Sequence, residues 1–265
     1  MDMPLNSFKR ALAAQQTQIG LFLGLANPLS TEILAGCGFD FLLIDGEHGP
    51  NDLRSIQAQL QAMAPYPVQA VVRPPSHDVA LIKQLLGIGV QTLLVPMVHS
   101  AEQARTLVQA TRYPPVGIRG VGTALERGAR WNGVANYLQQ VDAETCLIVQ
   151  VESQAGLDAL DDILQVDGID GVFLGPSDLA ASMGHLGNPG HADIKSAIEK
   201  ALARIAASGK APGVFASDVA TGRLYQASGA RFFSVGVDTL ILRNAAIGLV
   251  SSFRTQTMVK TGAAY

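Results

Sequence analysis

The chain has 265 residues, 48% of them hydrophobic and only 15% charged, with a formal net charge of -3 and a pI near 5.9. That balance gives no electrostatic reason to expect nucleic acid or an anionic membrane surface as a partner. No apolar run reaches the roughly 18 residues of a membrane span, the first ten residues lack the basic-then-apolar order of a signal peptide, and a cytoplasmic location is expected.

An amphipathic opening, Phe8 to Ala14, leads into the apolar run Ile19–Leu25, read as a first strand. Ser30–Ala35 reads as a short capped helix stopped near Gly36 and Gly38. The next run, Phe41-Leu42-Leu43-Ile44, is a strand buried on both faces that stops at Asp45, Glu47 and His48. A helix with apolar positions Leu53, Ile56, Leu60 and Met63 ends before Pro65 and Pro67, and Val68–Val72 forms a third strand ending at Arg73-Pro74. The rhythm repeats with a helix from His77 to Leu86, a strand Thr92–Pro96 and a helix from Ala101 to Thr111.

Between Tyr113 and Tyr137 the alternation breaks into a long connection, expected to be a functional loop. Its Gly120-Val121-Gly122 does not join a strand to a helix, so no nucleotide site is expected there. Cys146–Glu152, a helix Ala155–Leu164 and Gly171–Asp178 follow. A loop rich in Gly, His, Asn and Pro, Gly184–Ala192, then precedes the helix Ile194–Ala207 and strands at Gly213–Phe215 and Phe232–Val235. Eight strands alternating with helices at this length favour a closed (β/α)8 barrel over an open sheet, in one domain covering residues 1–265. The last helix, Thr239 to Phe253, is apolar on most of its circumference and is expected to pack into a neighbouring subunit, making residues 238–254 an oligomerising element. Cys37 and Cys146 sit in apolar sequence and read as small buried hydrophobes.

In such a barrel the carboxyl ends of the strands share one rim. Asp45 and His48 then follow strand two, Arg73 strand three, Gln150 and Glu152 strand five, and Asp178 strand six. Glu152 and Asp178 on adjacent strands suit a hard divalent cation that prefers oxygen ligands and keeps several waters. Each alone would equally serve as a carboxylate at a helix start. Arg73 could be held by Asp45 as a structural ion pair, or it could stabilise negative charge growing on a carbonyl oxygen, as enolate formation requires. His48 is the natural proton shuttle beside it. His77, His99, His185 and His191 show no ligand spacing with one another and are expected to be structural.

Several of these segments have a familiar form: Leu43–His48, Ala70–Pro74, Gln91–Met97, Gly117–Gly122, Val149–Glu152 and Gly175–Leu179. Together, in this order and over nearly the whole chain, they resemble the HpcH/HpaI aldolase family. The resemblance implies a hexameric barrel with an exchanged last helix. It also implies metal-dependent cleavage of 4-hydroxy-2-oxoheptanedioate, a product of aromatic catabolism, to pyruvate and succinate semialdehyde. Carried over by motif, Glu152 and Asp178 hold magnesium, manganese or cobalt, Arg73 stabilises the enolate of pyruvate and His48 is the acid/base group. Asp45 and Gln150 support them, and Ser177, Asp178 and Phe215 lie against substrate.

Three positions depart from the pattern. Gly87 stands where an aspartate thought to reach a neighbouring subunit's histidine is expected, Ser177 stands for alanine and Phe215 for leucine. Alternative expectations are therefore an aldolase of 2-keto-3-deoxy sugar acids, an oxaloacetate decarboxylase, or a metal and keto-acid binding protein with little turnover. No lysine occupies a strand end, which argues against a Schiff-base mechanism.

Overall fold

The computed structural model describes residues 1–254. The elements run α1 (Ser7–Ala13), β1 (Gln18–Leu23), α2 (Pro28–Ala35), β2 (Phe41–Asp45), α3 (Leu53–Met63), β3 (Gln69–Arg73) and α4 (Val79–Gly87). Then come β4 (Thr92–Val95), α5 (Ala101–Thr111), α6 (Tyr137–Glu144), β5 (Cys146–Val151), α7 (Gln154–Asp158) and α8 (Leu160–Leu164). The chain continues through β6 (Gly171–Leu174), α9 (Pro176–Ser182), α10 (Ala192–Ala207), β7 (Ala211–Phe215), α11 (Val219–Ala227), β8 (Phe232–Val237) and α12 (Asp238–Phe253). All neighbouring strands are parallel, and β8 pairs with β1, closing the (β/α)8 barrel.

The period of two along each strand sorts the side chains. On β2, Leu42 and Ile44 join the large cluster between the barrel and its helices, whereas Phe41 and Leu43 face the barrel axis with Phe22, Val71, Leu94, Ile148, Phe173 and Phe232. Phe8 of α1 closes the amino-terminal end, its ring 5.1 Å from Phe41 and 5.7 Å from Phe232. Aromatics fit inside so narrow a barrel because glycines face them: a Cβ on Gly20 would overlap the Phe41 ring, and one on Gly213 the Phe232 ring. One more step of two along each strand reaches the carboxyl-terminal rim, where Asp45, Arg73 and Gln150 replace the apolar layer.

The helices start where the sequence supplies caps. Asn27, Asp52, Asp78, Ser100, Ser153 and Asp218 each accept a hydrogen bond from a first-turn backbone N–H.

Five expectations need correction. The long connection leads into α6, which the sequence reading passed over, and its turns, with Arg130, Trp131 and Asn132 all at positive φ, bury Ala129 and Val134 with Tyr137 and Val141 of α6 in a satellite core with Tyr113 and Met3. The sequence reading passed over α11, and the helix expected over Ala155–Leu164 is two short helices meeting at Ala159. Cys146 is buried, but Cys37 is exposed at the end of α2, its thiol donating to the Ile33 carbonyl at 3.3 Å. Apolar neighbours in sequence failed to bury Cys37 because α2 turns that side to solvent. His185 and His191, expected to be structural and without ligand spacing, stack on each other with ring centroids 3.7 Å apart and share Asp193 as a neighbour.

α12 leaves the barrel with only Asp238 buried, and Leu240, Ile241, Leu242, Ile247, Leu249, Val250 and Phe253 lie exposed along it. The Asp238 carboxylate accepts from the backbone N–H groups of Gly24 and Leu25, which ties the start of α12 to the end of β1. None of the described helices is long and apolar enough to cross a membrane.

Candidate active site

Register places the charged layer. Asp45 and Arg73 are partners across β2 and β3, so their side chains leave adjacent backbones on the same face. Arg73 Nε and Nη2 donate to the two Asp45 carboxylate oxygens at 2.8 and 2.7 Å. Its Nη1 lies 3.0 Å from Glu47 Oε2, and the guanidinium carbon sits 5.1 Å from the centroid of the Phe22 ring. Two of the five N–H donors are thus hydrogen-bonded to Asp45, and Glu47 faces Nη1 as an ion pair, which leaves N–H donors on both Nη1 and Nη2 for a ligand.

Burial alone would raise the Asp45 pKa, but hydrogen bonding and attraction to Arg73 outweigh it and hold the carboxyl below its ordinary range. Burial likewise works against the Arg73 charge, and Asp45, Glu47 and Glu152 more than restore it. Asp45 also accepts from the backbone N–H of Glu47 at 3.0 Å, which shapes the turn after β2.

A cavity of about 620 Å³ opens over this pair and is lined by Asp45, His48, Arg73, Gln150, Ser177, Asp178 and Phe215 among others. Those seven are the sequence-predicted site residues apart from Glu152. His48 is exposed at the rim, its Nε2 3.8 Å from Glu47 Oε2. Ser177 and Asp178 occupy the first turn of α9, and Phe215 closes β7 with its ring 5.3 Å from that of Phe22.

Glu152 lies behind the wall, buried, with Oε1 accepting from Met97 N–H at 2.9 Å and Oε2 against the Gln150 amide. Gly175 permits this, since a Cβ there would overlap Glu152 Oε2. Burial, followed at a distance by Asp178 and Glu47, pushes the Glu152 carboxyl up to about 7 against the Gln150 and Met97 hydrogen bonds. Burial also raises Glu47, where Asp45 and Asp178 add to it and Arg73 and His48 oppose it.

The residues fit a hard cation. Gln150 Oε1 is buried with no hydrogen-bond partner, and four carboxylates, Asp45, Glu47, Glu152 and Asp178, surround one guanidinium. Oxygen donors with excess negative charge are what magnesium or manganese requires.

Comparison with known proteins decides the family. The model of the HpcH/HpaI aldolase/citrate lyase family matches residues 18–245. The chain belongs to that family. It is 60% identical over 254 residues to a hydroxypyruvate/pyruvate aldolase of Deinococcus radiodurans, covering 96% of this chain and 92% of that protein. It is 54% identical over 258 residues to a 4-hydroxy-2-oxo-heptane-1,7-dioate aldolase of Escherichia coli, covering 97% and 98%. A crystal structure of an HpcH/HpaI aldolase/citrate lyase family protein from Burkholderia cenocepacia superposes with a TM-score of 0.91 at 38% identity, covering 94% of this chain and all of that one. This protein is accordingly an aldolase of the carbon–carbon lyase type.

Two features of the aldolase were missed in the sequence. Glu47 stood in plain view between Asp45 and His48 but was assigned no partner, and it closes the third side of Arg73. Glu126 gave no sequence signal. It lies over Gly87, where a Cβ would stand 3.4 Å from its Cγ and 3.8 Å from its Oε1. Its Oε2 accepts from Arg119 at 3.0 Å and Tyr113 at 3.3 Å, while Oε1 accepts no hydrogen bond among the described residues. The position without its own carboxylate is thus overhung by another.

The raised Glu152 pKa has a stability consequence with a definite sign. Between 4.5 and about 7 the folded metal-free protein holds a proton that the unfolded chain has released, so this group's contribution falls as pH rises through that window. The expected loss is on the order of 3 kcal/mol. In denaturant titrations Glu152→Gln should remove that part of the pH dependence, and an unchanged profile would contradict the assignment.

Proposed function

We propose that the protein is a divalent-metal-dependent aldolase that cleaves 4-hydroxy-2-oxo acids, releasing pyruvate or hydroxypyruvate and an aldehyde. The observation that carries this reading is a guanidinium held by two hydrogen bonds to Asp45 and an ion pair with Glu47, with N–H donors left over, in the same charged rim as the carboxylates of Glu152 and Asp178. Glu152 and Asp178 would hold the cation, which would supply Lewis-acid polarisation of the substrate's C2 carbonyl. In the cleavage the C3–C4 bond breaks, its electron pair becomes the C2–C3 double bond, and negative charge gathers on the C2 oxygen. The free N–H groups of Arg73 stabilise that charge in a site where Asp45 and Glu47 leave the guanidinium no freedom to reorient. His48 takes the C4 hydroxyl proton, and C3 is then protonated to give the 2-oxo acid. Gln150, Ser177 and Phe215 bound the substrate, with Asp45 acting through Arg73 as a positioning residue.

The relatives' names divide between the 2-oxo acid component, hydroxypyruvate or pyruvate, and the C7 dioate that is cleaved. Both fit one C2–C3 enolate chemistry, and the C7 dioate with its products remains the reading from the motifs. A cytoplasmic enzyme of small-molecule metabolism accords with this. The apolar α12 supports assembly through exchange of that helix, and a hexamer follows from the resemblance. Replacing Leu242 and Leu249 by Glu should yield monomers in light scattering, and an unchanged particle mass would contradict a role for α12.

Within such an assembly Glu126 is the carboxylate available where the family pattern expects an aspartate at 87. Glu126→Gln, which keeps an acceptor for Arg119, should lower kcat roughly tenfold to a hundredfold with little change in KM. Gly87→Asp should give no gain, because it sets a second carboxylate against Glu126. A fully active Glu126→Gln would remove Glu126 from the mechanism.

The reaction itself is tested by incubating 4-hydroxy-2-oxoheptanedioate with the protein and following pyruvate by its reduction with lactate dehydrogenase. Release should stop with chelator, return with magnesium or manganese, and fall at least a thousandfold in Arg73→Lys, which cannot reproduce the planar fork. Cleavage that persists in chelator would contradict the metal-dependent reading.

A further inference from the structure

Away from the cavity, the turn between α9 and α10 gathers three side chains with metal-binding chemistry: His185, His191 and Asp193. Successive backbone hydrogen bonds fix the turn, from His185 N–H to the Ala180 carbonyl, Asn188 N–H to the His185 carbonyl and His191 N–H to the Asn188 carbonyl. They bring the two imidazoles into a stack with an interplanar angle of 17°. Asp193 Oδ2 then lies 3.5 Å from His185 Nε2 and 3.5 Å from His191 Nδ1.

The hydrogen bonds also fix which ring nitrogen of His191 is the acceptor. His191 Nδ1 accepts from the backbone N–H of Asp193 at 3.3 Å, so it carries a lone pair and has no proton to offer the carboxylate. In the metal-free protein that lone pair is taken up by the backbone N–H, and the Asp193 carboxylate stands 3.5 Å away with no proton from His191 Nδ1. A cation would replace this N–H contact and face the carboxylate as well. With metal–nitrogen and metal–oxygen bonds of about 2.0–2.2 Å, the donors of a tetrahedral zinc stand about 3.4 Å apart, which is the spacing found on both edges from Asp193. Two imidazoles and one carboxylate select a borderline transition ion over magnesium, whose ligands are oxygens. All three groups are solvent-accessible, which leaves water the fourth position.

We propose that His185, His191 and Asp193 form a second metal site, for zinc or a similar borderline divalent ion, separate from the carboxylate site in the barrel. The ion clasps the end of α9 to the start of α10. α9 carries Ser177 and Asp178 at its other end, so occupancy stabilises the segment that forms one wall of the cavity.

The test uses the full-length protein with Glu152→Gln, to weaken zinc binding at the barrel site, and adds His185→Gln or His191→Gln to that background. Calorimetric titration with zinc chloride should show one equivalent bound in Glu152→Gln. Affinity should fall at least tenfold on adding either histidine change. Zinc should also raise the thermal midpoint of Glu152→Gln but not of the double variants, whose midpoints without zinc should match it. Affinity unchanged by both histidine substitutions, or no zinc binding in Glu152→Gln, would overturn the proposal.

Discussion

The site depends on one buried ion pair. Arg73 and Asp45 stand opposite each other in adjacent strands, so the barrel's own hydrogen-bond register sets the guanidinium against its carboxylate. Both are nearly inaccessible to water, and removing one partner of such a pair typically costs about 3–5 kcal/mol. That cost makes the pair a rigid fixture. Glu47 faces the remaining edge as an ion pair and the Phe22 ring centroid lies 5.1 Å away, so the direction in which the remaining N–H groups point is a property of the fold.

The surrounding charge follows from the same geometry. Side chains on each strand alternate between the helix layer and the axis, and the axis is filled with aromatics and aliphatics until its last layer. There the apolar sequence stops, and Asp45, Arg73 and Gln150 emerge together with Glu152 just beyond β5 and Asp178 in the first turn of α9. More carboxylates than guanidinium gather in a partly dry space. Without a cation Glu152 meets that imbalance by holding a proton near neutrality. With one, the same oxygens and the unpartnered Gln150 Oε1 would have a positive charge to face.

Much of this was legible in the sequence because it rests on local rules. Continuous apolar runs of strand length and capped helices between them marked the alternation, and the polar residue after each run marked the rim. What escaped was set by contacts distant in sequence. α6 and the satellite core depend on a left-handed turn at Arg130–Asn132 and on Met3, Tyr113 and Tyr137 meeting. The exposure of Cys37 depends on how α2 rotates against the barrel. The choice between Asp45 as an independent catalytic group and Asp45 as the partner of Arg73 needed the distance between them, since both readings use the same two residue types. Glu126 over Gly87 joins α4 to a loop almost forty positions away, and His185 over His191 arises from three turn hydrogen bonds that no periodicity announces.

The central claim is that this rim stabilises the enolate of pyruvate, and it can be tested without choosing an aldehyde. Pyruvate is incubated in heavy water with the metal-free protein and then with added manganese or magnesium, and loss of its methyl proton signal is followed by NMR. The account predicts exchange that requires the cation and is abolished by Arg73→Lys. Absence of exchange under either metal, in protein shown to be folded, would contradict it.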